Sequence, residues 1–478
     1  MPGSSLSDPA RHLADRFTFG VDDQVRRDLA RLGRAGWFEA QLRRSLPEND
    51  AARQAPLHFP LLVNPPAVNY ALASAGVRGA FQIGQDLIGQ TFLRRITSRH
   101  QVYETMVDFW GNLIYIPASE DRSFPWRPAF DTEVVRVHAL RSYRSLLRAA
   151  IAHPAMSTYL TNDLNARNAL NENLGRELLE LYTVGRVYDE GDVRSAARLL
   201  TGFTVDTALA LRYGYDPARH ATGPVSVLGF RHPNRAADGR PALNALLDYL
   251  AAHPATATRI ATRLCVRFVS DDPDPALVRH VARAYRRSGT DIPATLRALV
   301  RHPAFTRARH RKVWNPSDDV VRTARVMGLE PQPTLAPDSF VTYLLATATD
   351  MGQLSLRWPA PDGWPETSSD YLSAARVLRS WQHHYDLAAT SGSLFRGVRV
   401  AAPASQLPSS WPQTLADLVD HQSRRLLGRA ADRTLVGAVA GALGLPAGHR
   451  FRSAAAVTDS QYTLLRGTVL NSPAGLQR

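Results

Sequence analysis

Asn171-Glu-Asn-Leu-Gly-Arg-Glu-Leu-Leu-Glu-Leu-Tyr-Thr-Val-Gly185 is the most chemically dense run in the chain, and its periodicity decides the fold class. Steps of about 100° per residue put Leu174, Leu178, Leu179, Leu181 and Tyr182 on one broad arc. Glu172, Asn173, Arg176, Glu177 and Glu180 fall on the other. That is the pattern of an amphipathic helix. Asn171 suits its N-cap, where a side-chain oxygen accepts from an otherwise unpaired first-turn amide. Gly185 suits the left-handed residue just past its end. The apolar arc predicts core. The polar arc is either a solvated face, stitched by a Glu172–Arg176 pair worth about 0.2–0.5 kcal/mol, or a site. Asn173 is a weak helix former in that first turn. Glu177 and Glu180 place like charges one turn apart, which costs stability unless a cation or metal lies nearby.

The flanking sequence repeats the helical message. Runs such as "SAARLLTG", "ALNALLDYLAA" and "TLVGAVAGALG" are rich in Ala and Leu, which favours helix over sheet. The fold class expected is all-α: a large single helical assembly with long Pro/Gly-rich loops at 47–77, 204–245 and 330–370. Residues 1–320 form the main helical domain carrying the 171–185 run, and 321–478 a C-terminal helical part packed on the same core. Asp22 and Asp189 are expected to cap helices, Asp189 in a box with Asp192. His153, His253 and His302 each precede a proline between two helical runs, which marks helix junctions and not a three-histidine metal site.

Composition excludes several function classes. Hydrophobic content of 44% and charged content of 21% belong to a folded globular protein. The apolar stretches are broken well before the roughly 20 residues of a membrane span. The first twenty residues show no basic n-region followed by an apolar h-region, so the expected location is cytoplasmic. Cys265 is the only cysteine, which leaves no intramolecular disulfide and no thiolate cluster. Its helical context predicts a buried, inert side chain. The net charge of +14 is almost entirely arginine, with Lys312 the only lysine. Arginine suits phosphate, sulfate and carboxylate recognition. The one tight basic run, Arg307, Arg309, Arg311 and Lys312, lacks interleaved aromatics, so no specific nucleic acid is expected. No P-loop, dinucleotide fingerprint, nucleophile elbow or HExxH is present.

The run 171–185, followed by "YDEGDVRSAARLLTGFTV", resembles the signature of the bacterial DUF1800 family, a domain of unknown function. The family pattern is approximately N-E-N-x-x-R-E-L-L-E-L-x-T-x-G, then Y-T-E-x-D-V-x-x-x-A-R-x-L-T-G-W. Further similarity runs through "HLADRFTFG", "VHALRSYRSLLRAAIAHPAM", "HPATATRIATRLCVRFVSDDP", "MGQLSLRWPAPDGWP" and "VLNSPAGLQR". The chain departs from the family at two places. Where relatives carry F-W-H-N-H-F, it has Phe109, Trp110, Gly111, Asn112 and Leu113, so Asn112 remains and both histidines are gone. Where they carry H-D-x-G-x-K, it has His220, Ala221, Thr222, Gly223, Pro224 and Val225.

Two readings stay open. In the first, the chain is an enzyme of unassigned reaction acting on a polar or anionic small molecule or a glycan-like substrate. Glu172 and Glu177 are then the acid/base carboxylates, with His138 supplied by a second helix. Asn171, Asn173, Arg176, Arg198, Asn112 and His220 bind substrate. Carboxylates at i and i+5 diverge by about 140° on an ideal helix, so they hold no ion unaided and no metal site is expected. In the second, the same network is a structural lock in a binding or scaffold protein, because buried charge must be paired whether or not it does chemistry. Neither reading names a cofactor or an oligomeric state.

Overall fold

The computed structural model describes residues 6–206, 211–332, 337–389 and 391–478. The signature run is helical, but not as one uniform α-helix. An α-helix over Asn173–Glu177 widens into a π turn over Leu178–Tyr182. The cap position falls one residue later than the sequence suggests, at Glu172, whose side chain makes no cap bond, while Asn171 Oδ1 accepts the Asn173 amide at 3.0 Å. Gly185 closes the run with φ +75°, its amide reaching the Leu179 carbonyl at 3.0 Å. Leu174, Leu178, Leu179 and Tyr182 are fully buried, so the apolar arc is core. The π turn resets the phase after Glu177, and Glu180 leaves the position that uniform 100° steps assign to it.

The rest of the fold packs round this element. An added Cβ at Gly175 would lie 3.1 Å from Val193 O and Ala197 N, so the helix Glu190–Leu199 lies directly on it. That helix starts in the expected box: Asp192 N donates to Asp189 Oδ1 at 2.9 Å and Asp189 N to Asp192 Oδ2 at 3.1 Å. Tyr143, in the helix Tyr143–Ile151, donates its hydroxyl to the Tyr182 carbonyl. At the three His-Pro steps the ring Nδ1 accepts the amide two residues on, at 3.1 Å for His153 and 3.2 Å for His253 and His302. Each is a helix junction, with the proline in the first turn. Asp22 caps the helix Asp23–Arg43, accepting from Val25 N at 2.7 Å.

The fold is mostly all-α, and the long loops hold more structure than their composition suggests. Segment 47–77 contains short helical turns, with Pro56, Pro60 and Pro66 each opening one. Segment 204–245 carries two antiparallel hairpins, Phe203–Asp206 with Arg212–Tyr215 and Val225–Val227 with Phe230–His232; residues 207–210 of this loop lie outside the described set. The second hairpin turns on Leu228 and Gly229, both at positive φ, the geometry of a tight two-residue hairpin. A leucine there is held from both sides, its amide donating to Asp192 Oδ1 at 2.9 Å and its carbonyl accepting from Tyr249 at 2.6 Å. Two further short ribbons pair Glu330–Pro331 with Val398–Arg399 and Gln413–Thr414 with Arg450–Phe451; of the 330–370 loop, residues 333–336 are not described. Residues 78–114, whose sequence reads as one long helical pattern, form two helices, Ala80–Thr97 and Gln101–Leu113.

Buried apolar side chains sort into two clusters. One is built from residues between Ala10 and Ala308, including the signature helix. The other joins residues of 320–474 to Ile83, Leu87, Phe92 and their neighbours, so the helix Ala80–Thr97 packs with the C-terminal part. Among the described residues no helix is long and apolar enough to cross a membrane.

Two consequences follow for solution behaviour. Burial, with Arg16, holds His12 down at about 4; burial, with Arg127, does the same for His153. Burial, with His384, lowers His383 to about 3. Each ring is neutral when folded and takes a proton on unfolding near its ordinary value of about 6.5. The unfolded state therefore binds more protons below that value. This contribution to stability is full above pH 6.5 and is lost as pH falls towards 4. Melting temperatures measured across that window are expected to drop, and a flat profile from pH 7 to 4.5 contradicts the assignment. Cys265 is fully buried and its thiol is pushed up to about 12 by burial. Labelling by a neutral alkylating reagent is expected to be slow in the native protein and fast only in denaturant; rapid native labelling would show an exposed thiolate.

Candidate functional site

Asn112 stands in the last turn of the helix Gln101–Leu113 and clamps the loop after Trp358 by both ends of its amide. Its Nδ2 donates to the Trp364 carbonyl at 2.8 Å and its Oδ1 accepts the Trp364 amide at 2.8 Å. The same Nδ2 lies 3.2 Å from Glu366 Oε1. Between them Gly363 has φ +73°, and a Cβ there would sit 2.1 Å from the Asn112 carbonyl. Only glycine fits. Trp358 and Trp364 pack with ring centroids 4.6 Å apart, and their indoles donate to Asp362 Oδ1 at 2.7 Å and the Leu354 carbonyl at 3.0 Å. The loop is a Trp-anchored strap, held on the helix end.

Under the strap lies a polar cleft lined by Asp108, Asn112, Arg267, Gln353, Ser355 and Glu366, with room inside for little more than a water molecule. Arg267, from the helix Pro254–Phe268, is its centre. Its guanidinium reaches Asp108 at 2.7 Å, Asp318 at 3.0 Å and Glu366 at 3.4 Å. Arg95 holds the other oxygen of Asp108 at 2.5 Å, and Arg478 holds Asp318 at 2.8 Å. Lys312 pairs with Asp271 and donates to the Glu366 carbonyl. Burial works against the charge of Arg267, but Asp318, Glu366 and Asp108 outweigh it and raise its pKa above the usual value. Cations and carboxylates balance here, each charge meeting a partner. Such an arrangement fixes structure; its net worth comes from not leaving any member alone.

The polar arc of the signature helix is different. Arg176 forms a two-pronged pair with Glu190 at 2.8 and 2.7 Å and lies 3.6 Å from Glu172. Arg194 reaches Glu172 at 3.6 Å. These four make a solvated lattice. Glu180 accepts from Tyr188 at 2.6 Å and Arg186 at 2.9 Å, bonds that keep its carboxyl below the usual range. Glu177 has no hydrogen-bond or ion-pair partner among the described residues. It is half-buried, and burial first, then the charges of Glu180 and Asp362, raise its pKa against the opposing pull of Arg176. Tyr159 stands beside it: burial, then Glu120, Glu177 and Asp362, raise that phenol as well. Asp362 is in the strap, next to the Gly363 that touches Asn112. The charge of Asp362 thus bears on Glu177, while Asn112 holds the loop that carries Asp362.

A family model described as "Protein of unknown function (DUF1800)" matches residues 12–474. The chain belongs to the DUF1800 family. No curated protein and no solved structure matches it. The F-W-x-N stretch and "MGQLSLRWPAPDGWP" therefore meet at one strap, through Asn112 and residues 353–366. The two positions where DUF1800 relatives carry histidine, Gly111 and Leu113, are buried, with Val135 3.9 Å from a Cβ placed at Gly111.

The other expected site residues are dispersed. His138 Nδ1 is 2.9 Å from Ser145 Oγ, and the ring has no hydrogen bond to the signature helix among the described residues. Its pKa is lowered by burial and by Arg141. The charges that bear on Glu177 are those of Glu180, Arg176 and Asp362, and His138 is not among them. His220 is a fully engaged core histidine, its ring nitrogens 3.0 Å from Thr201 Oγ1 and 3.0 Å from Asn234 Oδ1. Arg198 braces the loop after His220, donating to the Thr222 carbonyl at 2.5 Å and the Pro224 carbonyl at 3.4 Å. Asn171 Nδ2 donates to Thr161 Oγ1 at 2.9 Å, while the Asn173 side chain is exposed. Among the described residues no three His, Cys, Asp or Glu side chains are placed to hold a metal ion. Sequence reasoning missed Asp108, Arg267, Asp318, Glu366 and Arg478. Their signal was there: each of "MVDFW", "LCVRFV" and "NPSDDVV" sets a charge inside an apolar run, which demands a buried partner.

Proposed function

We propose that the chain is an enzyme acting on a polar or anionic small molecule, or a glycan-like substrate, by carboxyl acid–base chemistry beside the strap. Glu177 is the proton-carrying group. Asp362, steered by the Trp358 indole, is the second carboxylate, and the Asn112-held strap positions both. The observation that carries this reading is the state of Glu177. A carboxyl kept half-buried, unpaired and beside other carboxyls gains nothing for stability, and a raised pKa is what a proton donor near neutral pH needs. A pair of carboxyls with unequal proton affinities is the pattern of acid–base work on hydroxyl-bearing substrates.

The Asn112 cleft favours a second reading for its own part. Its charges are all paired and its interior holds little more than a water, so it is the structural lock beneath the site and takes no substrate. The test is a panel of neutral and acidic mono- and oligosaccharides incubated with the native protein and with Glu177→Gln, products being read by mass spectrometry. Turnover by the native protein that is lost in the variant supports the enzyme. Equal turnover by the two removes Glu177 from the chemistry.

A further inference from the structure

The basic run 307–312 is only partly solvated: Arg307 and Arg311 are exposed, and Lys312 is buried. Arg309 pairs with Asp8 at 2.9 Å, and Lys312 is buried on Asp271. His310, between them, lines a second cleft, together with Arg11, Asp15, Trp314, Arg322 and Arg429. This cleft shares no lining residue with the one under the strap. Its walls come from the helix Asp8–Phe17, the helix Pro316–Met327 and the turn that follows the helix Leu415–Leu426.

Cation exceeds anion here. Arg11, Arg322 and Arg429 face one lining carboxylate, Asp15. Asp15 is spent on Arg11 Nε, with both oxygens at 2.8 and 2.9 Å. Asp319 lies 3.9 Å from Arg322 but is engaged by Arg376 at 3.2 Å and Ser380 at 2.5 Å. Arg11 is only 7% exposed, and its Nη1 is buried without a hydrogen-bond partner. An unpaired buried guanidinium nitrogen is expensive and calls for a ligand or ordered water. The same nitrogen lies where a Cβ on Gly428 would be, 2.2 Å away. The guanidinium packs against that bare glycine, with Cζ and Nε also within 2.6 Å of the Cβ position, so a side chain there would displace it. Arg322 uses Nη1 on the Gly475 carbonyl at 2.8 Å and lays its plane over Trp314. The Arg429 side chain makes no hydrogen bond or ion pair among the described residues and is exposed at the mouth.

We propose that this cleft binds a small tetrahedral oxyanion, free phosphate or the phosphate of a monoester, through Arg11, Arg322 and Arg429. Three guanidinium groups from three separate elements suit an anion with oxygens pointing in several directions; a carboxylate, with two coplanar oxygens, would leave one fork idle. The interior as it stands holds about one water, so the anion reaches Arg11 and Arg322 by displacing that water as the exposed Arg429 arm swings out and then closes over it. The excess positive charge is compensated on binding, and that compensation is the driving force.

The experiment is calorimetric titration of the full chain with inorganic phosphate at constant ionic strength, set by chloride. Phenyl phosphate and acetate are titrated alongside. One saturable phosphate site is expected, weakened about tenfold or more in Arg429→Ala, since one charge-assisted bond is worth roughly that factor. Arg429 holds nothing else, so the variant should melt within about a degree of the native protein in phosphate-free buffer. Phenyl phosphate binding tighter than phosphate identifies a monoester as the natural occupant; the reverse identifies the free ion. Absence of saturable binding by the native chain, unchanged affinity in Arg429→Ala, or binding of acetate as tight as phosphate would each overturn the proposal.

Discussion

Arg267→Met is expected to be the most damaging single substitution away from the apolar core. The methionine fills a similar volume, so packing is nearly kept and the loss is electrostatic. Asp108, Asp318 and Glu366 lose the guanidinium that touches all three. Arg95 and Arg478 still hold the first two, but Glu366, with 7% of its side chain exposed, keeps only the Asn112 amide at 3.2 Å. Removing one partner of a buried pair costs on the order of 3–5 kcal/mol, here about 3–5 °C of melting temperature for a chain this size. The sign of the pH dependence follows. Carboxylates stripped of their cation have a raised folded pKa, so the variant is penalised most above their titration and regains stability as pH falls through it. The gap between native and variant melting curves should therefore narrow from pH 7.5 to pH 5. Arg267→Lys should recover little, because an ammonium cannot fork to three oxygens. A variant that melts within a degree of the native protein at pH 7.5 would show that the network is not a lock.

How much of this was legible depends on the range of the interaction. Caps and junctions are written within four residues, and Asp22, Asp189 and the three His-Pro steps could be read directly. The helix termini follow. The hairpin at Leu228-Gly229 was not legible, because its turn places a leucine at positive φ and only Asp192 and Tyr249, distant in sequence, make that tolerable. Nor was the π turn, which no local propensity encodes and which moved Glu180 to Tyr188 and Arg186. The Arg267 network joins residues from 95 to 478. Each charge alone reads as surface, and only its apolar neighbours betray it. For the site, the sequence singled out Glu177 and Asn112 but paired Glu177 with His138. Asp362, far along the chain, contributes to the charge at Glu177 and His138 does not, a long-range effect that spacing cannot show.

Glu177→Gln is the change expected to separate chemistry from structure. The amide keeps the shape of the carboxyl, and no ion pair or hydrogen bond of Glu177 is broken among the described residues. What disappears is a charge that burial, Glu180 and Asp362 all disfavour. A carboxyl with a raised folded pKa destabilises the fold above that pKa, and the penalty fades as pH falls through it. The variant should therefore melt slightly higher than the native protein at neutral pH, a small rise because the group is half-exposed and solvent screens it. The two curves should converge as pH falls towards 4.5. Loss of a positioned proton donor costs roughly a hundredfold to ten-thousandfold in rate, so turnover should vanish while stability rises. Glu177→Asp should fold equally well and retain a little of the rate, because the proton is present but set back by one methylene. A marked fall in melting temperature for Glu177→Gln would mean that the charge has a structural partner after all. Opposite movement of rate and stability is the behaviour of a working carboxyl strained into place, and a purely structural residue cannot produce it.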